Sequence, residues 1–346
     1  MSYETDFLAY SLLRLYKNGK VPDFSAVPLF GDASGRSYVR ISFEDTTVVM
    51  MKVADVKPGE FGRGDSFADF IAICDFLNGL GIKVPEILAV IPEQKALLLE
   101  DLGDLTLFKS IENGGNRFDC IKDAADLLTE TQQRLSTRTD SDTPADKRSF
   151  TKELFMAEFY HFYEYMIAKR VYHIPYKNLW PELEKFCTEI SEELASLPYF
   201  FSHRDFQSKN IMIKNGEHYL IDFQDALKAP VVYDLVSLLR DSYIVLSADE
   251  LSKLVRHFWD SNCVVQNLFS NFNSFEHAFY LQTLQRKMKD AGRFVYLNQV
   301  KGKEWFVPYI LPTLGYVKDA SLKLGYEKIL NILAPYIPEF ETGSSK

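Results

Sequence analysis

Short β-prone segments surround one amphipathic helix in the first hundred residues of the chain. Residues 38–43 and 46–53 are rich in β-branched and aromatic side chains, and the polar pair Glu44 and Asp45 between them predicts a hairpin. Residues 66–78 repeat apolar side chains every three or four positions, which is the period of a helix with one buried face. Residues 96–99 indicate a short apolar strand. The pattern therefore predicts a small β-rich N-terminal part.

Helical periodicity dominates the rest of the chain. Six segments carry apolar side chains at helical spacing, and the predicted helices are residues 118–135, 152–169, 180–194, 235–245, 248–262 and 275–290. We therefore predict an α+β protein of two lobes. The small β-rich N-lobe would span residues 1–101 and the large, mainly helical C-lobe residues 102–346.

One hairpin interrupts the helical part, and it places two oxygen-bearing side chains together. Residues 211–213 and 219–221 are β-prone, and Asn215 and Gly216 between them are typical of a type I′ turn. If that turn is the centre of the hairpin, Asn210 and Asp222 lie side by side at its open end.

Charge and composition narrow the classes of function. The chain has 346 residues, with 39 Lys and Arg against 48 Asp and Glu and a net charge of −9, which argues against a general nucleic-acid binder. No uncharged apolar run approaches about 18 residues, so no membrane span is expected. The N-terminus lacks the features of a signal peptide, and a cytoplasmic location is predicted. The cysteines lack metal-site or redox spacing; they are Cys74, Cys120, Cys187 and Cys263.

The stretch FSHRDFQSKNIM, residues 201–212, carries the strongest chemical signal. Its H-R-D-x-x-x-x-N spacing, followed by an Asp-Phe pair at residue 222, matches the catalytic loop and metal-binding Asp of kinases. Asn210 and Asp222 offer the amide and carboxylate oxygens that Mg²⁺ prefers. Asp205 is then placed to accept a proton from an attacking hydroxyl. His203 is expected to brace the loop rather than act as a base, and Arg204 is left open between a brace and a phosphate contact.

The N-terminal part is expected to hold ATP. In LFGDASGRSY, residues 29–38, Gly31, Ser34 and Gly35 can turn backbone N–H groups and a hydroxyl toward phosphates, although an ordinary turn has the same composition. Lys52 is the candidate for the α- and β-phosphates, with an exposed edge-strand lysine as the alternative. The next predicted helix lacks the glutamate that pairs with such a lysine in kinases.

The chain resembles the aminoglycoside phosphotransferase and choline kinase group, with its motifs concentrated in residues 201–243. The resemblance implies a bilobal protein-kinase-like fold, with Asp205 as catalytic base and with Asn210 and Asp222 as Mg²⁺ ligands. LLLEDLGD, residues 97–104, is similar to the hinge between the lobes, so Glu100 and Leu102 would present backbone groups to adenine.

The acceptor is expected to be a small molecule. A protein kinase needs a long activation segment after its metal-binding Asp, but here about a dozen residues separate Asp222 from the helix that follows. Residues 221–243 and 281–294 resemble bacterial kinases that phosphorylate the anomeric hydroxyl of N-acetylmuramate and N-acetylglucosamine in cell-wall recycling. The resemblance implies an ATP- and Mg²⁺-dependent amino-sugar kinase.

Three residues are candidates for substrate contact: Asp225, Arg240 and Asp241. For Arg240 the alternative is an ion pair within the fold. Two other functions stay open, namely phosphorylation of a cationic acceptor such as an aminoglycoside or choline, and nucleotide binding without catalysis. The sequence leaves the oligomeric state open.

Overall fold

The N-terminal part of the computed structural model is one antiparallel sheet. The structure describes residues 3–29, 36–54, 66–138, 142–170 and 179–340. The strand order is β1-β2-β3-β5-β4. The strands are β1 Phe24–Leu29, β2 Arg36–Phe43, β3 Thr46–Val53, β4 Ile87–Ile91 and β5 Ala96–Glu100.

The predicted hairpin at residues 38–53 is confirmed. β2 pairs with β3 from Arg36–Val53 to Phe43–Thr46, and Glu44 adopts a positive φ of 50° in the turn between them. Both faces of this sheet are covered. Val48 and Met50 are buried on one face, and Met51 is buried on the other.

Two helices cover the two faces of the sheet. The helix α1, Tyr3–Tyr16, was not predicted, and it packs Leu8 and Leu12 under β2, β3 and β5. The helix α2, Ser66–Gly79, was predicted, and it buries Phe70 and Cys74 on the opposite face. The second face is also the face that meets the helical part.

The helical part follows β5. Its helices are α3 Leu107–Glu112, α4 Arg117–Ser136, α5 Lys152–Phe162, α6 Trp180–Ser196, α7 Tyr233–Leu239, α8 Ala248–Ser261, α9 Cys263–Leu268, α10 Phe272–Gln299, α11 Ile310–Lys323 and α12 Glu327–Leu333. A short 3₁₀ turn, Pro92–Gln94, lies between β4 and β5, and three more in the helical part are Ser208–Asn210, Glu304–Tyr309 and Pro338–Phe340. β5 ends at Glu100, and the lobe boundary between residues 101 and 102 stays a prediction.

Three predicted helices differ from those observed by more than two residues at one end or both. The segment 152–169 divides into α5 and a π-helical stretch, Tyr163–Ala168. The segment 235–245 forms only α7, because Asp241 accepts a hydrogen bond from its own neighbour Tyr243 N at 2.9 Å and turns the chain. α10 extends beyond residues 275–290 at both ends and has 28 residues.

Two small antiparallel ribbons lie within the helical part. β6 Tyr199–Ser202 pairs with β9 Leu227–Pro230, and β7 Ile211–Lys214 pairs with β8 Glu217–Leu220. Asn215 and Gly216 have φ values of 53° and 78°, which confirms the predicted turn. Within the described ranges no helix is long and apolar enough to cross a membrane.

Candidate active site

The loop after β6 is held by hydrogen bonds to a buried carboxylate. Asp234, at the start of α7, accepts hydrogen bonds from Ser202 Oγ at 2.8 Å, His203 N at 2.7 Å and Arg204 N at 3.0 Å. Burial raises the pKa of Asp234, while His203 and these hydrogen bonds oppose the shift. Arg204 takes a left-handed φ of 75°, and the loop turns sharply into Asp205. Asp234 therefore fixes the path of the backbone from the end of β6 to Asp205.

His203 ties this loop to the hairpin. Its Nε2 lies 3.0 Å from Ile221 O, and because a carbonyl only accepts, Nε2 carries the proton. This geometry is that of a brace, as expected from the sequence.

The open end of the hairpin brings the predicted catalytic and metal-binding residues together. Asn210 Nδ2 donates to Asp205 O at 3.0 Å. Ile221 N donates to Asn210 O at 3.1 Å, which extends the β7–β8 pairing by one residue, so Asp222 follows the residue that lies opposite Asn210. Asp205, Asn210 and Asp222 all line one cleft between the sheet and the helical part.

Asp222 is in contact with a cation from the sheet. Its Oδ1 accepts from Arg36 NH2 at 2.7 Å and from Gln224 Nε2 at 3.1 Å. Burial raises the pKa of Asp222, Arg36 lowers it, and the nearby Asp205 raises it. The Arg36 side chain is only 7% exposed, and its NH1 is buried without a hydrogen-bond partner in the described structure. A ligand in the cleft that supplies an acceptor there would satisfy this donor.

The structure does not bring Lys52 to this cleft. Side chains alternate along β3, and Lys52 lines a separate cavity of about 240 Å³ against Thr5 and Leu8 of α1. Arg36 and Arg40, from β2, line the cleft instead. The other predicted phosphate contacts, Gly31, Ser34 and Gly35, lie outside the described residues.

The predicted hinge segment is held by two cations. Lys214 of β7 donates to Glu100 Oε1 at 2.6 Å and to Asp101 O at 2.9 Å. Arg40 binds both oxygens of Asp101, at 2.6 and 3.0 Å. Glu100 and Leu102 line the cleft, as expected for a hinge. The side chains of Glu100 and Asp101 are thus engaged in fixing the hinge.

The sequence analysis missed a buried arginine beside the catalytic loop. Arg286 of α10 is 2% exposed, and it donates to Arg204 O at 2.8 Å and to Asp205 Oδ1 at 3.2 Å. Burial lowers its pKa, but Tyr233, Asp290 and Asp205 raise it more, so the guanidinium stays charged. The available signal was the run RKMKD, residues 286–290, which places four charged side chains close together in a predicted helix.

Of the three predicted substrate contacts, only Asp225 lines the cleft; it accepts from Gln224 Nε2 at 3.3 Å. Arg240 is buried in an ion pair with Asp319, away from the cleft lining. Asp241 accepts from Ser208 N at 2.9 Å and from Ser208 Oγ at 2.6 Å, so it braces the catalytic loop. The structure therefore places Arg240 and Asp241 in the folded core and not in the lining of the cleft.

The cleft has a volume of about 750 Å³, large enough for a nucleotide and a small acceptor. On its helical side an aromatic box surrounds an internal cation. Lys209 Nζ lies 3.7 Å from the ring centre of Tyr243, 5.2 Å from that of Phe108 and 5.4 Å from that of Tyr309.

Known proteins resemble this chain in sequence and in fold. The sequence model of the phosphotransferase enzyme family matches residues 26–260. Curated relatives named N-acetylmuramate/N-acetylglucosamine kinase are 27% identical in Neisseria meningitidis, over 93% of this chain and 94% of the relative, and 26% identical in Pseudomonas aeruginosa, over 87% and 85%. A solved amicoumacin kinase, in complex with AMP-PNP, Ca²⁺ and its ligand, has the same fold with a TM-score of 0.62 at 12% identity, covering 93% of this chain and 94% of that one.

These comparisons confirm the predicted bilobal protein-kinase-like fold and the predicted group. The family match covers well over half of the chain, and it includes the sheet, the catalytic loop and the hairpin. The chain belongs to the phosphotransferase enzyme family and is a kinase that acts on a hydroxyl acceptor.

Proposed function

We propose that this protein transfers the γ-phosphate of ATP to the anomeric hydroxyl of an N-acetylated amino sugar, as a step of cell-wall sugar recycling. The observation that carries the proposal is the meeting of Asp205, Asn210 and Asp222 at the end of one hairpin, in a cleft that also contains the hinge. The names of the curated relatives support the acceptor class.

The donor set at the hairpin fits a magnesium ion. Asn210 uses its amide nitrogen on Asp205 O, which leaves the amide oxygen for a cation, and Asp222 adds a carboxylate. In the described part of the chain no three His, Cys, Asp or Glu side chains cluster as a complete metal site. Two protein ligands completed by phosphate oxygens and water are the usual arrangement for Mg²⁺. When bound, the ion would neutralise charge on the phosphates.

We propose that Arg36 is the cation that binds the phosphates of the nucleotide. It is buried, it is one residue beyond the segment that holds Gly31, Ser34 and Gly35, and its NH1 is orphaned at the cleft. A guanidinium fork suits two phosphate oxygens, or one phosphate oxygen and one carboxylate. Arg36 would keep Asp222 in place through NH2 and bind phosphate through NH1. Glu100 and Leu102 would receive the adenine through backbone groups.

Asp205 is the proposed base. Asp234 and Arg204 set its backbone direction, and Arg286 fixes one carboxylate oxygen at 3.2 Å. We propose that this carboxylate accepts the proton of a sugar hydroxyl as that hydroxyl attacks the γ-phosphorus. Positioning of this kind and charge neutralisation supply most of the catalysis in phosphoryl transfer.

The walls of the acceptor side disfavour a cationic acceptor. Aromatic boxes recognise quaternary ammonium groups, but here Lys209 of the chain itself fills the box formed by Phe108, Tyr243 and Tyr309. The cleft lining of α10 adds four cations against the single carboxylate of Asp290. Choline or an aminoglycoside would meet like charge, whereas a neutral or acidic sugar would not.

The test is an ADP-release assay with N-acetylmuramate, N-acetylglucosamine, choline and kanamycin as acceptors. We expect Mg²⁺-dependent turnover with the two sugars and none with the two cations. The methyl glycoside of N-acetylglucosamine, whose anomeric hydroxyl is blocked, is the matched control and should not react. Turnover of the glycoside would overturn the anomeric position, and absence of turnover with every sugar would overturn the proposed function.

A further inference from the structure

The helix α2 packs on the face of the sheet that meets the helical part, but it lacks the link that protein kinases use there. That link is an ion pair between a strand lysine and a helix glutamate. Here Lys52 lines the cavity on the α1 side of the sheet, and α2 contains Asp69 and Asp75 but no glutamate. Other contacts must therefore set the position of α2 relative to the catalytic residues.

Arg148 supplies such a contact. Its NH1 donates to Asp69 Oδ2 of α2 at 2.7 Å, and its NH2 donates to Gln224 O at 3.2 Å. The side chains of Arg148 and Asp69 are 15% and 10% exposed, so water screens the pair little. One planar guanidinium thus holds a helix of the N-terminal part and a carbonyl of the helical part at a fixed separation.

The backbone of Arg148 is itself anchored to the helical part. Its carbonyl accepts from Lys228 N of β9 at 2.9 Å, and Phe150 N donates to Lys228 O at 2.8 Å, so this segment lies along β9. The apolar side of α2 meets the same region, because the ring centres of Phe70 and Phe223 are 4.8 Å apart. The ion pair and the ring contact therefore attach α2 at two points.

Gln224 connects Arg148 to the proposed metal ligand Asp222. Ala226 N donates to Phe223 O at 3.0 Å, which closes a turn with Gln224 at its second position. Gln224 is only 1% exposed, and its Nε2 donates to Asp222 Oδ1 at 3.1 Å. Because Arg148 holds the backbone of Gln224 and the Gln224 amide holds the carboxylate, a displacement of Arg148 shifts Asp222.

We propose that Arg148 is a positioning residue, which couples α2 to the Asp222 carboxylate and so sets the affinity of the proposed magnesium site. The inference rests on the proposed function, in which Asp222 is a ligand of the ion that accompanies ATP. A purely structural ion pair would lower stability and leave the affinity for the metal unchanged. A positioning residue changes that affinity without changing the acceptor site.

The test compares Arg148→Gln with Arg138→Gln in the full-length protein. Arg138 is the matched control, because it pairs with Asp146 and these side chains are 14% and 8% exposed. Titration of Mn²⁺, as a substitute for Mg²⁺, in the presence of AMP-PNP is followed by electron paramagnetic resonance. We expect Arg148→Gln to weaken Mn²⁺ binding about 10-fold, the scale of one hydrogen bond from a charged group, and Arg138→Gln to change it less than about twofold.

Two more variants test the geometry of the contact, and they serve also if Arg148→Gln does not fold. Arg148→Lys should recover part of the affinity, because an ammonium group can bind Asp69 or Gln224 O but lacks the fork that holds both. Asp69→Asn should weaken Mn²⁺ binding in the same direction. Combined with Arg148→Gln it should add little, because both substitutions act through one contact.

A second measurement needs neither metal nor nucleotide. Hydrogen exchange of the Ala226 amide reports on the turn that Arg148 holds through Gln224. Exchange should be about 10-fold faster in Arg148→Gln and unchanged in Arg138→Gln. In the activity assay, the Mg²⁺ concentration for half-maximal ADP release should rise about 10-fold in Arg148→Gln, with KM for the acceptor unchanged.

The inference is overturned if Arg148→Gln binds Mn²⁺ as wild type does, if Arg138→Gln loses as much affinity, or if wild type does not bind Mn²⁺ with AMP-PNP. Failure of the proposed function gives a different result. If wild type binds Mn²⁺ with AMP-PNP but phosphorylates no sugar, the proposed function falls. Weaker Mn²⁺ binding in Arg148→Gln would then still support the coupling.

Discussion

Two residues of the catalytic region hold backbone conformations that are unfavourable for side chains with a Cβ. Arg204 has a φ of 75° and Asp222 a φ of 66°. Each left-handed residue costs about 1–2 kcal/mol, which the surrounding contacts must offset. Asp234 supplies that support at Arg204, and Arg36 contacts the side chain of Asp222. Both conformations turn a carboxylate toward the cleft.

The first prediction separates the two candidate phosphate-binding cations. Arg36→Ala should lower kcat/KM for ATP about 100-fold, because it removes a buried charged donor beside Asp222. Lys52→Ala should change the same constant less than about threefold, because Lys52 lies on the α1 side of the sheet. Steady-state ADP release at varied ATP measures both. The assignment is wrong if Lys52→Ala is the more damaging substitution.

At the scale of elements, the site depends on how closely α10 approaches α5. A Cβ added at Gly292 would lie 2.7 Å from Phe162 Cα and 2.9 Å from His161 O, so only glycine allows this contact. Gly292 lies between Asp290 and Arg293 on α10. The close packing therefore sets the depth at which the charged residues of α10 enter the cleft.

The second prediction concerns this packing. Gly292→Ala should lower the free energy of unfolding by about 1–3 kcal/mol, since the methyl group meets backbone atoms that cannot move independently. Gly315→Ala is the matched control in α11, where an added Cβ meets no atom within 4 Å. It should be neutral or stabilise by up to about 1 kcal/mol through helix propensity. Equal effects in urea denaturation would contradict the account of the contact.

Elements with local signals were predictable from the sequence. The β7–β8 hairpin follows from Asn215 and Gly216, and α2 follows from its apolar spacing. The β6–β9 ribbon was not predicted, because two four-residue strands pair across a gap of more than 20 residues. The face of Lys52 was not predictable either. β3 is apolar on both faces, and the unpredicted helix α1 decides which side is the cleft.

At the scale of the whole molecule, the sheet and the helical part are joined by charged contacts around the cleft. Arg36 binds Asp222 across it, and Arg148 NH1 binds Asp69 of α2 at 2.7 Å while its NH2 donates to Gln224 O at 3.2 Å. Asp69 thus links α2 to the segment that follows Asp222 through Arg148. α2 is the helix that lacks the glutamate found in kinases, and its Asp69 pairs with Arg148.

The grouping of Asp205, Asn210 and Asp222 was predictable because a short loop and one hairpin determine it. Arg286 was not, because it comes from a helix 81 residues farther along the chain. The positive charge that α10 brings to the cleft was also not predicted, because the net charge of the whole chain is −9. Long-range packing of α10 produces both features.

The most direct test of the central claim is the rate of ADP release with N-acetylglucosamine in Asp205→Asn. The substitution keeps the size of the side chain but removes the proposed base, so kcat should fall at least about 1,000-fold. Affinity for AMP-PNP with Mg²⁺ should stay within a few-fold of wild type, which shows that the cleft is intact. Asp142→Asn, at a side chain 90% exposed, is the control and should retain full activity. A wild-type rate in Asp205→Asn would contradict the account.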